Sequence, residues 1–531
     1  GSIYPLIYLI FYGDLDFLKN FNIVISENRK ELFIYVLLIL LVIFFIKTIF
    51  FIFVSFKTNN FLTGITKDLQ IKLLNKYLSQ DYLFFLNSKS EKLLNNIITE
   101  SVHFSKSQVQ PIYVISNEFI KIFFIFILIV AVNPLATLFS ILFFAPIIFL
   151  FLKKLKKKLL IIGKARQVNS ENMIKFANKG LNSIREIILF KNQNFFLNKF
   201  NDYCHNLNSS SKQNNLWQEI PRILLEFFVV FYILSVFIVF FKFTSFPIEE
   251  IFVYLSFLSI SFTRLLPSTN RIIKAIQDLN YYKNVTKIIN SSIKLKKERN
   301  LKFNQANNLD FKTLQLKNIN FSFKDKKIFD NASLKINSNK IYGINGESGS
   351  GKTTLINLLI GFLEPKNGNI FIDNKKLDKL KNLWQNNICY IPQDIYLLED
   401  SIEKNITLSE EKSNKDKLSK ALKLSMLDKL VKGYAKNVKH IIKSAGLDIS
   451  GGQRQRIGIA RSIYKDKKII FLDESTNALD KKTEHEILLL LKNKIKNKTI
   501  FIISHNKSLY KYVDKIITIK NQKIFINNAR Y

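Results

Sequence analysis

Apolar residues run in long unbroken stretches through the first half of this chain and in short bounded ones through the second. Leu32–Phe56, Ile112–Val132, Leu135–Leu152, Ile223–Phe241 and Ile251–Leu266 each approach the roughly 20 apolar residues that cross hydrocarbon as a helix, so five transmembrane spans are predicted. Ile3–Tyr12 is apolar but too short to span. Periodic apolar positions continue past the spans, as at Ile65, Leu69, Leu73 and Leu74, so the helices are expected to extend beyond the bilayer. Ten further residues would project roughly 15 Å. The two long polar segments, Lys57–Pro111 and Lys153–Ile220, are expected to turn around at short amphipathic pieces near Asn87–Leu94 and Ile184–Lys191. Ordinary solvated loops are the alternative, and their length and periodicity favour helices. From about residue 310 the pattern becomes short apolar strands alternating with amphipathic helices, an α/β domain.

Lys294–Asn308, rich in Lys and Asn, separates the two patterns. The expected division is an all-α membrane domain over 1–293, a linker over 294–309 and the α/β domain over 310–531. Loop charge orients the spans. Lys153–Ile220 carries thirteen Lys/Arg, whereas Phe246–Glu250 carries none and two glutamates. The first is therefore cytoplasmic and the second external. This puts Gly13–Lys30 and the turn Asn133-Pro134 outside, Lys57–Pro111 inside, and the α/β domain in the cytoplasm beneath a multi-pass cell (inner) membrane. The net charge of +38 suggests anionic partners. It is discounted, because Lys, Asn, Ile and Phe together mark an A/T-rich coding bias and much of the lysine falls where a membrane protein puts it; no nucleic-acid partner is expected. Cys204 and Cys389 lie in separate regions and suggest neither a disulfide framework nor a metal cluster.

The chemistry centres on Gly346-Glu347-Ser348-Gly349-Ser350-Gly351-Lys352-Thr353, followed by Thr354. It joins a strand, Lys340–Ile344, to a helix, Leu355–Ile360. In that setting G-x-x-x-x-G-K-[ST] is a phosphate-binding loop. Glycines let backbone N–H groups wrap an anion at a helix N-terminus. Lys352 is placed for the terminal phosphates and Thr353 for Mg²⁺, so ATP and Mg²⁺ are the expected ligands. Lys468–Glu474 is an apolar strand ending in two acids. Asp473 would support the metal and Glu474 would act as general base on the attacking water. Ser450-Gly451-Gly452-Gln453, before a helix Arg454–Ile463, is a second set of backbone donors suited to a γ-phosphate. One phosphate loop per domain then implies that a second subunit completes the site: a dimer with ATP at its interface.

These motifs, in this order and with Gln453-Arg454-Gln455-Arg456, resemble the signature set of ATP-binding cassette transporters over roughly residues 310–531. The resemblance implies further roles. Phe323 resembles the aromatic that stacks on adenine, and Gln393, in Ile391-Pro392-Gln393-Asp394, the glutamine that senses Mg²⁺ and contacts the membrane domain. Ser475–Asp480 resembles the loop joining two ATP sites, and His505 the switch histidine on the γ-phosphate. Every matched catalytic position (Lys352, Glu474 and His505 among them) is filled, so both sites of a homodimer should hydrolyse ATP. The chain departs from the family at Ile449, where Leu is usual. It departs again at Lys443-Ser444-Ala445-Gly446, which lacks a Glu common in exporters, and at Asn506, which replaces a frequent Arg.

The membrane half resembles the exporter plan of six helices, which makes the first helix here truncated. Gly1-Ser2 then reads either as residues added in cloning or as the native end of that helix. Gly1–Pro5, Pro221–Glu226 and Phe262–Ser268 resemble bacterial lipid-linked oligosaccharide flippases, which favours the native reading. Arg264 and Arg271 lie seven apart on one helix face. Arg264, roughly 20 Å from the outer end of the last helix, should face a wet cavity or a partner, since facing lipid costs about 2.5–3.5 kcal/mol. A pyrophosphate headgroup would reward that placement. The alternative makes Arg271 and Lys274 inner-surface anchors and Lys47 a residue at the inner membrane edge. The expected function is ATP-driven flipping of a polyprenyl-pyrophosphate-linked oligosaccharide to the outer leaflet of the bilayer. A multidrug, lipid or peptide exporter is the nearer alternative, and a soluble ATPase of DNA repair or translation the remote one.

Overall fold

A computed structural model of the chain describes residues 29–132, 134–243, 248–296, 309–323, 326–408, 410, 412–443, 448–494, 497–504 and 511–529. Internal contacts divide the chain into two units. One holds Gly1–Gln80 with Ser88–Lys297, and the other Asp81–Asn87 with Glu298–Tyr531.

The first unit is helical. Helix α1 (Arg29–Leu78) runs 50 residues. Helix α2 (Tyr82–Asn87) follows and belongs to the second unit. The chain returns through Ser90–Asn95, two π-helical turns at Asn96–Glu100 and Ser105–Val109, and α3 (Gln110–Val132). Next come α4 (Pro134–Asn182), the short α5 (Ile184–Phe190), α6 (Gln193–Phe243), α7 (Ile248–Tyr281) and α8 (Lys283–Ile293). By length and composition, four stretches among the described residues can cross a membrane: Leu37–Leu78, Ser90–Ile127, Thr137–Asn182 and Gln193–Lys242. The fifth expected span, Ile251–Leu266, forms the first part of α7. Ile3–Tyr12, Asn133 and most of the linker lie outside the described residues. The expected extensions are present, since α1, α4 and α6 each continue unbroken for some 50 residues. The second turn-around falls where periodicity put it, at α5. The first does not: the short helix is Tyr82–Asn87, ahead of the expected Asn87–Leu94. An aromatic-rich run with little helical periodicity concealed it, and its rings find their partners in the second unit.

Polar side chains tie the extensions together. Glu100 and Arg166 form a buried ion pair at 3.2 Å. The Arg166 guanidinium lies 4.9 Å over the Tyr282 ring, on which His103 also stacks. Tyr77 donates to Ser292 at 2.9 Å, and Thr286 to Gln108 at 2.8 Å, so α8 is fastened to α1 and to the turns before α3. Gly163 is required where α4 crosses the end of α7: a Cβ there would sit 1.8 Å from the Tyr281 carbonyl oxygen.

The second unit carries two sheets. An antiparallel one has the order β2-β1-β4-β5, from β1 (Thr313–Phe323), β2 (Lys326–Asn337), β4 (Asn367–Ile372) and β5 (Lys375–Lys376). The other has the order β10-β9-β3-β8-β7-β6, from β3 (Ile341–Gly346), β6 (Ile388–Ile391), β7 (Ile469–Asp473), β8 (Thr499–Ile503), β9 (Lys515–Lys520) and β10 (Lys523–Asn528). Strands β9, β3, β8, β7 and β6 pair in parallel, and only β10 runs against its neighbour. β7 and β8 are buried along their whole length, as continuous apolar runs flanked on both faces must be. Phe471 and Phe501 stack at 4.6 Å within the core. In such sheets ligands bind beyond the C-terminal strand ends, and here four of those ends meet. Ile344 pairs with Ile503, Ile503 with Asp473, and Leu472 with Ile391.

Candidate nucleotide site and its relatives

The loop after β3 behaves as its glycines require. Gly349 and Gly351 hold φ of +77° and +104°, the left-handed region where a side chain is strained. A Cβ on Gly351 would meet Ile328 at 2.6 Å. The loop opens onto α9 (Lys352–Ile360), seven of whose nine residues are buried. Lys352 is itself buried, and its ammonium donates to the carbonyls of Gly346 and Glu347 at 2.9 and 3.2 Å. This holds its charge inside the ring of loop amides. The buried Ser350 Oγ has no protein partner among the described residues. An orphaned hydroxyl at an amide-lined helix start fits a polyanionic phosphate. Thr354 follows Thr353 in the first turn of α9.

Asp473 ends β7 and is 5% exposed. Burial pushes its carboxyl above the ordinary value, while hydrogen bonds from Tyr390 and Thr353 and the Lys352 charge pull the other way. The phenol of Tyr390 lies 3.0 Å from Asp473 Oδ2. A buried carboxylate beside the Thr353 hydroxyl is an all-oxygen donor set, the kind Mg²⁺ prefers, so the residues present fit the metal. Glu474 turns out of the strand with φ +50°. Its carboxylate accepts from Asn477 Nδ2 at 3.1 Å, and its backbone N–H donates to Ile503. The strand thus buries the metal-side acid and presents the next one at the sheet edge.

The second donor set opens α10 (Gly451–Lys465). Ser450 Oγ accepts from the Gln453 amide, and Gln453 Oε1 from the Ser450 amide, a reciprocal capping box. Gly451 and Gly452 lie against Ala478, and Gln455 bridges the Glu474 carbonyl and the Ala478 amide. Helix α10 and the Ser475–Asp480 loop are thereby one rigid piece.

The other expected positions divide. Phe323, 41% exposed, stands edge-on to Phe321 at the end of β1. Gln393 is exposed on a bend after β6. His505, Asn506 and Ser444–Gly446 lie outside the described residues. In the helical unit Arg271 pairs with Glu118 at 2.9 Å, and Arg264 is exposed. A cavity of about 250 Å³ opens between α3, α4, α6 and α7; Phe126, Phe144, Val229 and Phe262 line it with the hydroxyls of Thr137 and Ser140, and neither arginine does. Lys47 lies over the Phe44 and Phe51 rings.

Sequence reading missed two residues. Tyr390 is the one hydroxyl in an otherwise apolar strand, three positions before Gln393, and that oddity was its only signal. Glu118, a carboxylate within an apolar helix, was legible as costly; it pairs with Lys121 one turn on at 2.7 Å, but its other partner, Arg271, lies 153 positions away.

With this geometry in hand, comparison with known sequences decides the family. The profile described as ABC transporter matches residues 329–477, and the one described as ABC transporter transmembrane region matches residues 10–265. The chain belongs to the ABC transporter family. It is a half-transporter: one membrane-spanning helical domain and one nucleotide-binding domain on a single chain. An export ATP-binding/permease protein of Rickettsia typhi is 34% identical over 42% of this chain, and the match spans 40% of that relative's length. The ATP-dependent lipid A-core flippase of Photorhabdus laumondii is 24% identical over 85% of this chain and 78% of its own. Among solved structures, a bacterial Atm1-family ABC exporter with ATP bound shares the fold with a TM-score of 0.82 at 15% identity, over 99% of this chain and 91% of that one.

Proposed function

We propose that this half-transporter is an ATP-driven exporter. It works as a homodimer in the cytoplasmic membrane and flips an anionic lipid-linked oligosaccharide to the outer leaflet. The observation that carries the ATPase reading is the convergence of the phosphate loop, Thr353 and the buried Asp473 at adjacent ends of parallel strands, with Glu474 beside them. Lys352 and the loop amides would hold the β- and γ-phosphates, while Thr353 and Asp473, with Gln393, would hold Mg²⁺. The metal, when bound, neutralises charge on the transferred phosphoryl group. Glu474 orients and polarises the attacking water, His505 holds the γ-phosphate, and Phe323 stacks on the base. Ser450–Gln453 would cap the ATP of a second copy. The apolar face of α5 supports the same partner, since Leu189 and Phe190 are each 77% exposed and an uncovered face of that kind marks a docking surface. Movement would reach the membrane helices through their cytoplasmic extensions.

The lipid character of the substrate is supported by the apolar cavity and by the likeness, over 85% of this chain, to a lipid A-core flippase. Its anionic glycan headgroup rests on Arg264, an exposed cation well inside α7 that lies outside that cavity. Proteoliposomes test both, with a fluorescent polyprenyl-pyrophosphate glycan in the inner leaflet and dithionite quenching as readout. ATP-dependent translocation, weakened at least tenfold in Arg264→Ala, is the expected result. Equal flipping by that variant would remove the headgroup reading. Translocation of lipid A alone would replace the substrate with that lipid.

A further inference from the structure

The nucleotide site contains a residue to which none of the assigned motifs gives a role. Tyr390 sits on edge strand β6, paired in parallel with β7 so that Tyr390 lies opposite Phe471. Side chains two apart on a strand share a face. Asp473, two residues beyond Phe471, is therefore the diagonal neighbour of Tyr390 on one face of the sheet. Diagonal neighbours lie about 7–8 Å apart at their backbones, a gap that only a long side chain closes. A tyrosine ring closes it, and the phenol reaches Asp473 Oδ2 at 3.0 Å.

The other residues of β6 are Ile388, Cys389 and Ile391. None could donate a strong hydrogen bond, and a leucine or phenylalanine at position 390 would fill the same space. The hydroxyl is therefore what this position adds. Asp473 is 5% exposed, so water is a poor substitute for the lost donor. The Thr353 hydroxyl lies near the carboxylate as well, close enough to pull its pKa down against the effect of burial. The Tyr390 phenol is the side-chain donor that reaches Asp473 from β6.

We infer that Tyr390 is a positioning residue that aims the Asp473 carboxylate at Mg²⁺, as a group behind a metal ligand rather than a ligand itself. The inference rests on the ATP–Mg²⁺ reading of this site. Partners behind a ligand fix its orientation, and their loss typically weakens metal binding by about 10–100-fold.

Mn²⁺ is a spectroscopic stand-in for Mg²⁺. The full chain in detergent, saturated with a non-hydrolysable ATP analogue, would be titrated with Mn²⁺ and followed by electron paramagnetic resonance. Tyr390→Phe should weaken Mn²⁺ binding about tenfold. It should leave affinity for a fluorescent ATP analogue in EDTA unchanged. Mn²⁺ affinity within twofold of wild type would overturn the inference. So would an equal loss of metal-free nucleotide binding, which would mean that Tyr390 is only structural. A second arm places Tyr390→Phe on an Asp473→Asn background. There the substitution should have no further effect on Mn²⁺, and a persisting tenfold loss would show that Tyr390 does not act through Asp473. Failure of the wild-type chain to bind the nucleotide analogue at all would instead sink the ATP reading, and the inference with it.

Discussion

Strand β8 and helix α1 are built from the same few side chains and end in opposite surroundings. Thr499–Ile503 is buried at every position, between neighbouring strands and under helices. In the Leu37–Leu78 stretch the most apolar window has no buried residue. Phe45 is 64% exposed and Ile52 65%. Isoleucine and phenylalanine leave water in both cases, but protein covers them in one and lipid in the other. The consequences differ. In the nucleotide domain apolar burial sets the ends of four parallel strands side by side and so gathers the residues of one site. In the membrane domain apolar character fixes only that a helix crosses. Helix meets helix there through a small apolar cluster, Phe144, Val229, Tyr232, Leu258 and Phe262, and through polar contacts and close backbone approaches such as Glu100–Arg166, Glu118–Arg271 and Gly163 against Tyr281.

The contrast can be broken most sharply at the chemistry. Glu474→Gln should bind ATP, hold a closed dimer and lose turnover by about 10²–10⁴-fold, the usual contribution of a positioned base. Phosphate release measures it, and wild-type rates would remove the general-base role. Next in size is a paired substitution. Phe471→Ala should cost about 3–5 kcal/mol by opening a cavity in the stacked core. Phe45→Ala should fall within about 0.5 kcal/mol, as changes away from packed contacts do. Thermal unfolding in detergent compares them; similar losses would mean that α1 packs on protein after all. Breaking the ion pair with Glu100→Ala should leave a buried guanidinium unpaired and cost about 3–5 kcal/mol, whereas joint replacement of Glu100 and Arg166 by Leu and Met should be near neutral. A joint variant as unstable as the single one would show that the pair does more than satisfy itself.

The smallest effect concerns pH. Burial pushes the carboxyl of Asp278 from 3.8 up to about 6, against the opposing pull of Lys274 and a hydrogen bond from Gln218. The fold therefore favours its neutral form. That contribution is complete below the ordinary carboxylate value and is lost as pH rises through about 6. Asp278→Asn should flatten the stability profile between pH 4 and 6, as melting in buffered detergent would show. An unchanged slope would assign the dependence to other groups.

Much of the nucleotide site was legible because its chemistry is local. Gly349 and Gly351 must adopt left-handed backbone, Lys352 and Thr353 follow at once as the first residues of the helix, and Asp473-Glu474 close an apolar run. Each is a short-range rule that a sequence displays directly. The helix at Tyr82–Asn87 was misplaced for the opposite reason. Six residues with little helical period hold their conformation through tertiary contacts, with Tyr82 on Phe362 and Asp81 on Lys381. Tyr390 escaped notice in the same way, since its partner is 83 positions distant.

Residue order alone fixes that this chain crosses a membrane and where the phosphate loop and the two strand-end acids lie along it. Those properties depend on hydrophobic length and backbone sterics over a few residues. The grouping of Asp81–Asn87 with the nucleotide domain appears only in the folded chain. The same holds for Arg271, which answers to Glu118, and for the Asp473 carboxylate, which Tyr390 reaches from β6. Each of these is a polar contact between residues far apart in the chain. Its free energy exists only once apolar burial has brought the two ends together and excluded the water that would otherwise serve as partner.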